Sequence, residues 1–136
     1  MSNLSEEEIR QKLTPEQYEI LRNGATEPPF TGKYLKEKGE GIYICVVCGE
    51  ELFSSDTKFE SGTGWPSFTE PKNKKHIDLV LDKSHGMERV EVKCKKCGSH
   101  LGHVFQDGPS NSGGNRFCIN SVCLNFKKIK GGVEYN

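Results

Sequence analysis

The chain has 136 residues, of which 33% are hydrophobic and 15 are glycine, and its 19 Lys and Arg balance its 19 Asp and Glu. This length is typical of one domain, so we expect residues 1–136 to form a single domain, and the zero net charge gives no attraction to nucleic acid or to an anionic membrane. The polar N-terminus lacks a secretory apolar core, and no apolar run approaches the roughly 20 residues of a membrane-spanning helix, so we expect a cytoplasmic protein with neither kind of partner.

Residues 1–29 carry the signals of a helical arm. Residues 5–8 (SEEE) have the spacing of a capping box, and residues 14–17 (TPEQ) repeat it with proline at the first helical position. Gly24 is typical of the residue that follows a helix. We therefore expect helical structure before Gly24, laid as an arm on the rest of the domain.

The pattern changes to short strands and turns from Tyr34 onward. Three segments carry β-branched or alternating apolar residues, namely Gly41–Ile44, Ile77–Leu81 and Arg89–Val92. Turn-forming residues separate the last two, which predicts a hairpin whose second strand leads to Cys94. A final strand is predicted over Arg116–Phe126. We expect residues 30–128 to form a mainly β core and residues 129–136 to form a basic, glycine-containing tail.

Two copies of a CxxCG pattern contain four of the six cysteines, which are Cys45, Cys48, Cys94 and Cys97. Four thiolates complete the tetrahedral shell of a structural zinc ion, and the glycine after each pair lets the backbone turn around it. Three disulfides are the alternative for six cysteines, but the missing secretory segment favours a metal. We therefore expect a Zn²⁺ ion, whose binding stabilises a chain with a modest core.

Cys118 is the candidate nucleophile. In a β-strand, Arg116, Cys118 and Asn120 project from one face. Phe117 and Ile119 then face the core. A fixed cation beside a thiol favours the thiolate, which is the nucleophilic form. The alternative is that Cys118 is an ordinary buried cysteine, which behaves as a small apolar residue.

Two histidines, His100 and His103, stand three residues apart, and Asp107 follows four residues later. Histidine can give and take a proton near neutral pH, which suits acid–base chemistry. The alternatives are exposed loop histidines and a turn-forming Asp107, whereas a role as zinc ligands is disfavoured because four cysteines already fill that shell. Trp65, between glycine and proline, is either an exposed aromatic platform or ordinary core.

Five motifs occur along the chain in the order CxxCG, SGTGWPSF, CxxCG, SHLGHVFQDGP and RFCIN. On these motifs, residues 15–128 closely resemble the B-type methionine sulfoxide reductases, which act on the R epimer. The resemblance implies a fold of two small antiparallel sheets with a structural zinc opposite the active site. It also implies reduction of methionine-R-sulfoxide, mainly in oxidised proteins or peptides.

The resemblance implies a role for each candidate catalytic residue. Cys118 would attack the sulfoxide sulfur and become a sulfenic acid, releasing methionine. His103, with His100, would protonate the departing oxygen with help from Asp107. Arg116 would favour the Cys118 thiolate through its charge.

The same resemblance places Trp65 at the wall of the pocket for the substrate's methyl group, with Asn120 orienting the substrate. Many relatives carry a resolving cysteine at the position of Thr63, and its absence makes Cys123 a possible resolving residue. A continuous strand would hold Cys123 roughly 16 Å from Cys118 at about 3.3 Å per residue, beyond the reach of a disulfide, so either the strand bends or breaks or Cys123 is structural. We therefore expect a structural Cys123, with thioredoxin or another external thiol reducing the sulfenic acid.

Two other classes of protein fit parts of the pattern. The CxxCG pairs alone suit a non-catalytic zinc-binding interaction module, and Cys118 alone suits a peroxide sensor. The Arg-x-Cys and His-x-x-His patterns, which the metal site does not use, favour the enzyme over a purely structural role. We expect the enzyme to act as a monomer.

Overall fold

A computed structural model describes residues 5–83, 86, 88–108, 113–130 and 133–135. In these residues two α-helices precede the strands. The helices are α1 (Glu6–Lys12) and α2 (Pro15–Leu21). The strands are β1 (Gly41–Cys45), β2 (Glu51–Ser54), β3 (Lys58–Phe59), β4 (Ser67–Phe68), β5 (Ile77–Asp82), β6 (Arg89–Cys94), β7 (His100–Phe105), β8 (Arg116–Ile119), β9 (Leu124–Lys130) and β10 (Val133–Tyr135).

The strands form two sheets, and every strand pair in the described residues is antiparallel. The first sheet has the order β10-β9-β1-β2, and the second has the order β3-β4-β8-β7-β6-β5. The predicted hairpin is β5 and β6, which pair from Ile77 opposite Cys94 to Asp82 opposite Arg89. The prediction of a mainly β fold with two antiparallel sheets is confirmed.

The hydrophobic core lies between the two sheets, where aromatic rings from both meet. Tyr43 and Phe53 come from the four-stranded sheet, and Phe68 comes from the six-stranded sheet. The Phe68 ring centroid lies 4.5 Å from that of Phe53 and 5.2 Å from that of Tyr43. All three side chains are fully buried. Close packing of these rings therefore fixes how the sheets lie against each other.

The helical arm begins as the sequence predicts. Ser5 accepts a hydrogen bond from the Glu8 amide, and Thr14 accepts one from the Gln17 amide, so both capping boxes form. Gly24 has a φ of +79°, the left-handed conformation of a helix stop. Each helix has seven residues, and within the described residues no helix has the length and apolarity that crossing a membrane requires. The buried apolar residues of the arm are Ile9, Leu13, Ile20 and Leu21.

The predicted final strand over Arg116–Phe126 is wrong, because the chain changes sheets within it. β8 ends, a 3₁₀ turn forms over Ser121–Cys123, and β9 continues in the other sheet. The Asn120 amide holds this break: its Oδ1 accepts from the Glu27 amide at 3.0 Å, and its Nδ2 donates to the Leu101 carbonyl at 2.9 Å. The Asn120 side chain thus joins the break to β7 and to the segment that follows the helices.

The structure also differs from the expected tail over residues 129–136. β9 continues to Lys130, and Val133–Tyr135 form β10, which pairs with β9. A strand of three residues is too short to show a periodic pattern in the sequence, so only its pairing partner defines it.

Candidate active site

Cys118 lies within the six-stranded sheet, between β4 and β7. Ser67 is its cross-strand neighbour on one side, and His103 is its neighbour on the other. Directly opposed side chains of antiparallel strands have Cβ atoms about 4.5–5.5 Å apart, so strand register alone brings the thiol and the imidazole together. Cys118 and His103 also line a pocket of about 90 Å³ together with Trp65 and Asn120. The fold therefore gathers four of the predicted site residues.

A β-bulge in β7 places both histidines on the same face of the sheet. In a regular strand, residues three apart point to opposite faces, because side chains alternate. Consecutive residues of β6 pair with Gly102 and His100, which leaves Leu101 as an extra residue in β7. The ring centroids of His100 and His103 consequently lie 5.3 Å apart.

Each histidine contacts a carboxylate that sequence reasoning did not identify. His100 Nδ1 lies 2.7 Å from Glu91 Oε2, and His103 Nε2 lies 2.9 Å from Asp82 Oδ2. Glu91 lies in β6 opposite His103, and Asp82 ends β5, so the hairpin supplies both acids. No motif marks these acids, and their one signal is their position in the predicted hairpin. A carboxylate partner orients an imidazole and selects its tautomer.

Asp107 pairs with Arg116 rather than with a histidine. Arg116 Nε and Nη2 donate to Asp107 Oδ1 and Oδ2 at 2.8 and 3.0 Å, which is a bidentate ion pair. The guanidinium also lies 4.6 Å from the centroid of the Phe105 ring. Asp107 is exposed and is not among the residues that line the Cys118 pocket. Its position thus differs from the one that direct help in protonation would require.

Burial raises the pKa of the Cys118 thiol above its ordinary value. The hydroxyl of Thr63, whose Oγ1 lies 3.8 Å from the Cys118 Sγ, and the charge of Arg116 both lower this pKa. They do not outweigh the loss of hydration of the thiolate. Cys118 is therefore a thiol at neutral pH in the free protein, and Arg116 favours the thiolate without making it the resting form.

Burial lowers the pKa of His103 below its ordinary value. The hydrogen bond to Asp82 raises this pKa, but burial of the charged ring is the larger effect, and the nearby charges of Arg89 and His100 add to the lowering. The His103 imidazole is therefore neutral at neutral pH. In that form it can accept a proton and pass it on.

Glu27, just after the two helices, organises one wall of the pocket and was not predicted. Its carbonyl accepts from Trp65 Nε1 at 2.9 Å, and its amide donates to Asn120 Oδ1 at 3.0 Å. Its side-chain Oε1 accepts from the Val122 amide at 3.0 Å. The residue is 1% exposed, and burial raises the pKa of its carboxyl. These contacts join distant parts of the chain, so no local pattern could have marked Glu27.

Cys123 is buried in the core rather than in the pocket. It has no exposed surface, and its Sγ donates to the His100 carbonyl at 3.3 Å. Burial raises the pKa of its thiol well above the ordinary value, which makes it a poor nucleophile. Because the strand ends after β8, the distance that assumed a continuous strand no longer applies. The burial of Cys123 is instead the observation that favours a structural role.

The four paired cysteines form one cluster where β1 and β6 end. Their Sγ atoms all lie within 4.8 Å of one another, with 3.7 Å between those of Cys45 and Cys97 and 3.5 Å between those of Cys48 and Cys94. Zinc–sulfur bonds of about 2.3 Å place the sulfurs of a tetrahedron about 3.8 Å apart, so the cluster has suitable dimensions for a structural metal. The glycine after each pair has a φ of +80° or +76°, as the predicted turns require.

The helical arm is hydrogen-bonded to both cysteine turns. Lys12 Nζ donates to the Val47 carbonyl at 2.7 Å. Arg22 Nη1 donates to the Cys97 carbonyl at 2.8 Å and to the Ser99 hydroxyl at 3.1 Å. The arm therefore braces the two chain segments that carry the cluster.

Fold and site together define a β-sheet protein with a cysteine–histidine pocket and a separate four-cysteine cluster. A family model described as "SelR domain" matches residues 13–128, so the chain belongs to the SelR-domain family. A curated relative from Methanosarcina barkeri (strain Fusaro), named peptide methionine sulfoxide reductase MsrB, is 57% identical over 130 residues, which are 96% of this chain and 91% of the relative. A relative of the same name from Synechococcus sp. (strain RCC307) is 58% identical over 90% of this chain and 90% of its own length. Another from Leptospira interrogans is 56% identical over 93% of this chain and 95% of its own length. The family resemblance of the motifs is confirmed.

Proposed function

We propose that this protein reduces methionine-R-sulfoxide, mainly in oxidised proteins and peptides, to methionine. The observation that carries the proposal is the pocket in which Cys118 lies opposite His103 and beside Trp65. The name that the relatives share, peptide methionine sulfoxide reductase, supports the same activity.

Cys118 is the proposed nucleophile. Its sulfur attacks the sulfoxide sulfur, the oxygen ends on Cys118 as a sulfenic acid, and methionine leaves. The two electrons that reduce the sulfoxide come from the Cys118 sulfur. The thiol proton ends on the transferred oxygen, so the step balances without another proton source.

We assign this proton transfer to the histidines. Burial keeps Cys118 as a thiol and His103 as a neutral imidazole, so the resting pair holds the one proton that the step requires. His103, with His100 beside it, protonates the sulfoxide oxygen, which is a poor leaving group until it is protonated. Glu91 and Asp82 orient the two rings through these contacts.

Arg116 stabilises the Cys118 thiolate as it forms, since its charge lowers the thiol pKa. Asp107 holds the Arg116 guanidinium in place in this proposal, because it pairs with that group. Trp65 forms the wall against the substrate's methyl group, and Asn120 orients the substrate.

The sulfenic acid is reduced directly by an external thiol, such as that of thioredoxin. The burial of Cys123 supports a structural role for this residue, and Thr63 beside Cys118 cannot form a disulfide. Peptide mapping after one turnover tests this step, and a Cys118–Cys123 disulfide would contradict it. The proposed enzyme acts as a monomer in the cytoplasm.

Zinc is the proposed occupant of the cysteine cluster, with four thiolate ligands: Cys45, Cys48, Cys94 and Cys97. The ion would be structural, joining the ends of β1 and β6 and adding its binding free energy to folding. No reaction step depends on it.

Turnover of the separate sulfoxide epimers tests the proposed function. N-acetyl-methionine-R-sulfoxide and its S epimer are supplied with dithiothreitol to the wild type, Cys118→Ser and Cys123→Ser. We expect reduction of the R form alone, no turnover by Cys118→Ser, and turnover by Cys123→Ser within about twofold of the wild type. Binding of the R form without turnover by the wild type would support the interaction module, and oxidation of Cys118 by peroxide alone would support the sensor.

A further inference from the structure

An aromatic side chain is exposed next to the Cys118 pocket without lining it. Phe30 is 68% exposed, although phenylalanine is among the residues most often buried. Its φ of +65° is the left-handed conformation that a bulky residue rarely adopts. The Phe30 amide donates to the Gly64 carbonyl at 2.7 Å, which helps to hold this conformation. The fold thus maintains a strained backbone at a residue whose ring contacts water, a combination typical of binding sites.

The Phe30 ring lies over the backbone of Gly64, the residue before Trp65. A Cβ atom on Gly64 would lie 3.1 Å from two ring carbons of Phe30 and 2.7 Å from the Pro29 Cβ. Gly64 also has a φ of +99°, which favours glycine. Glycine therefore allows Phe30 to pack against the loop that carries Trp65.

Phe30 and Trp65 line a groove of about 230 Å³ together with Leu35 and Phe59. We call the groove defined by these four residues the flank groove. Trp65 also lines the Cys118 pocket, so the two cavities lie next to each other and share the Trp65 side chain. The Cys118 pocket has only about 90 Å³. That space suits the sulfoxide end of one side chain, and the polypeptide on either side of it must lie outside.

We propose that the flank groove binds an apolar side chain next to the methionine sulfoxide of a polypeptide substrate. The inference rests on the proposed function, because its occupant is the substrate of that same site. The rim of the flank groove carries Lys36 and Lys38 against Glu60, whose carboxylate lies 3.0 Å from the Lys38 ammonium. This net positive charge favours peptides with acidic rather than basic residues nearby.

Three substrates of R configuration test the inference: N-acetyl-methionine-R-sulfoxide methylamide, a peptide with glycine on both sides of the sulfoxide, and one with phenylalanine on both sides. Both peptides carry one glutamate and no basic residue. We expect the wild type to favour the phenylalanine-flanked over the glycine-flanked peptide by about tenfold in kcat/KM, since the flank groove would bury an aromatic ring. Phe30→Ala should abolish this preference and leave turnover of the methylamide within about twofold.

Two further variants separate the ring from the backbone and from general surface effects. Phe30→Gly removes the ring while relieving the positive φ, so equal losses in Phe30→Ala and Phe30→Gly assign the effect to the ring. Leu79→Ala removes a side chain that is 55% exposed on the edge strand β5, and it should retain the preference.

The outcomes distinguish the inference from the function on which it rests. Two results would overturn the proposed role of the flank groove: equal kcat/KM of the wild type for the two peptides, or a preference that survives Phe30→Ala. Reduction of the methylamide would in either case still support the proposed function. If the wild type reduces none of the three substrates, both are overturned.

Discussion

Cys118 is subject to opposing influences from its neighbours. Burial raises its pKa, while Thr63, Ser67 and Arg116 lower it, and burial is the larger effect. Because the thiolate is the nucleophile, a resting thiol limits reaction with electrophiles other than the substrate. In the proposed mechanism the thiolate forms as the sulfoxide oxygen is protonated, which couples nucleophile activation to the presence of substrate.

The raised pKa of Cys118 predicts a pH profile for alkylation. Iodoacetamide reacts with thiolates, so the alkylation rate at Cys118 should reach half its maximum above the ordinary thiol value of about pH 8.5. Arg116→Met removes a charge that lowers the pKa, so its midpoint should lie at still higher pH. Mass spectrometry of the Cys118 peptide measures the rate apart from the other cysteines. Lys38→Met, which removes an exposed cation, is the control, and a wild-type midpoint below the ordinary value would contradict the prediction.

Glu27 predicts a link between the arm and the pocket. Glu27→Ala leaves the Val122 amide without its acceptor, which should destabilise the fold by about 1–3 kcal/mol in urea unfolding. Glu27→Gln keeps an acceptor oxygen without a charge in a buried site, so it should be more stable than Glu27→Ala. Trp65, the single tryptophan of the chain, donates to the Glu27 backbone carbonyl, which both variants retain, so its fluorescence should shift only if loss of the Glu27 side chain moves this segment. Glu7→Ala, at an exposed position of α1, is the control, and unchanged stability of Glu27→Ala would contradict the prediction.

Among the elements, two irregularities in the strands shape the pocket. The bulge in β7 turns His100 to the face of His103, and the break after β8 places Asn120 against Glu27. Both interrupt the alternation of side chains on which strand prediction depends. The regular hairpin of β5 and β6 then supplies the acids that contact the histidines.

The helical arm predicts an effect on metal retention. Arg22 donates to the Cys97 carbonyl and the Ser99 hydroxyl, and a hydrogen bond from a charged donor contributes about 1.5–3 kcal/mol. We expect Arg22→Ala to release zinc to a chromogenic chelator roughly tenfold faster than the wild type. Arg10→Ala, at an exposed position of α1, is the matched control. Equal release rates of Arg22→Ala and the wild type would show that the arm does not brace the cluster.

In the molecule as a whole, the cysteine cluster connects the two sheets. One pair follows β1 in the four-stranded sheet, and the other begins at the end of β6 in the six-stranded sheet. A metal held by both pairs would therefore restrain the sheets around the shared aromatic core.

Loss of one cysteine of the cluster should weaken the whole fold. Cys45→Ser removes one of four thiolates, and we expect loss of zinc, measured by metal analysis, with a fall in Tm of more than about 10 °C. Cys118→Ser, outside the cluster, should keep its zinc. A metal-free Cys45→Ser protein with wild-type Tm would contradict the zinc assignment.

Features built from neighbouring residues follow from the sequence. The capping boxes that begin at Ser5 and Thr14 and the turns after the cysteine pairs span only a few positions, so their spacing predicts them. The alternation around Cys118 likewise predicts that Phe117 and Ile119 face the core, which the structure confirms. The family follows from short motifs for the same reason.

Features built from distant residues required the folded structure. Leu101 is recognised as an extra residue only when β7 is paired with β6. Strand register also determines which residue pairs with Asp107 and which carboxylates contact the histidines. The Cys118 pKa depends on burial, to which many parts of the chain contribute. Spacing along the chain thus identifies the candidate reacting groups, whereas their partners, orientation and protonation depend on contacts that form only when the sheets assemble.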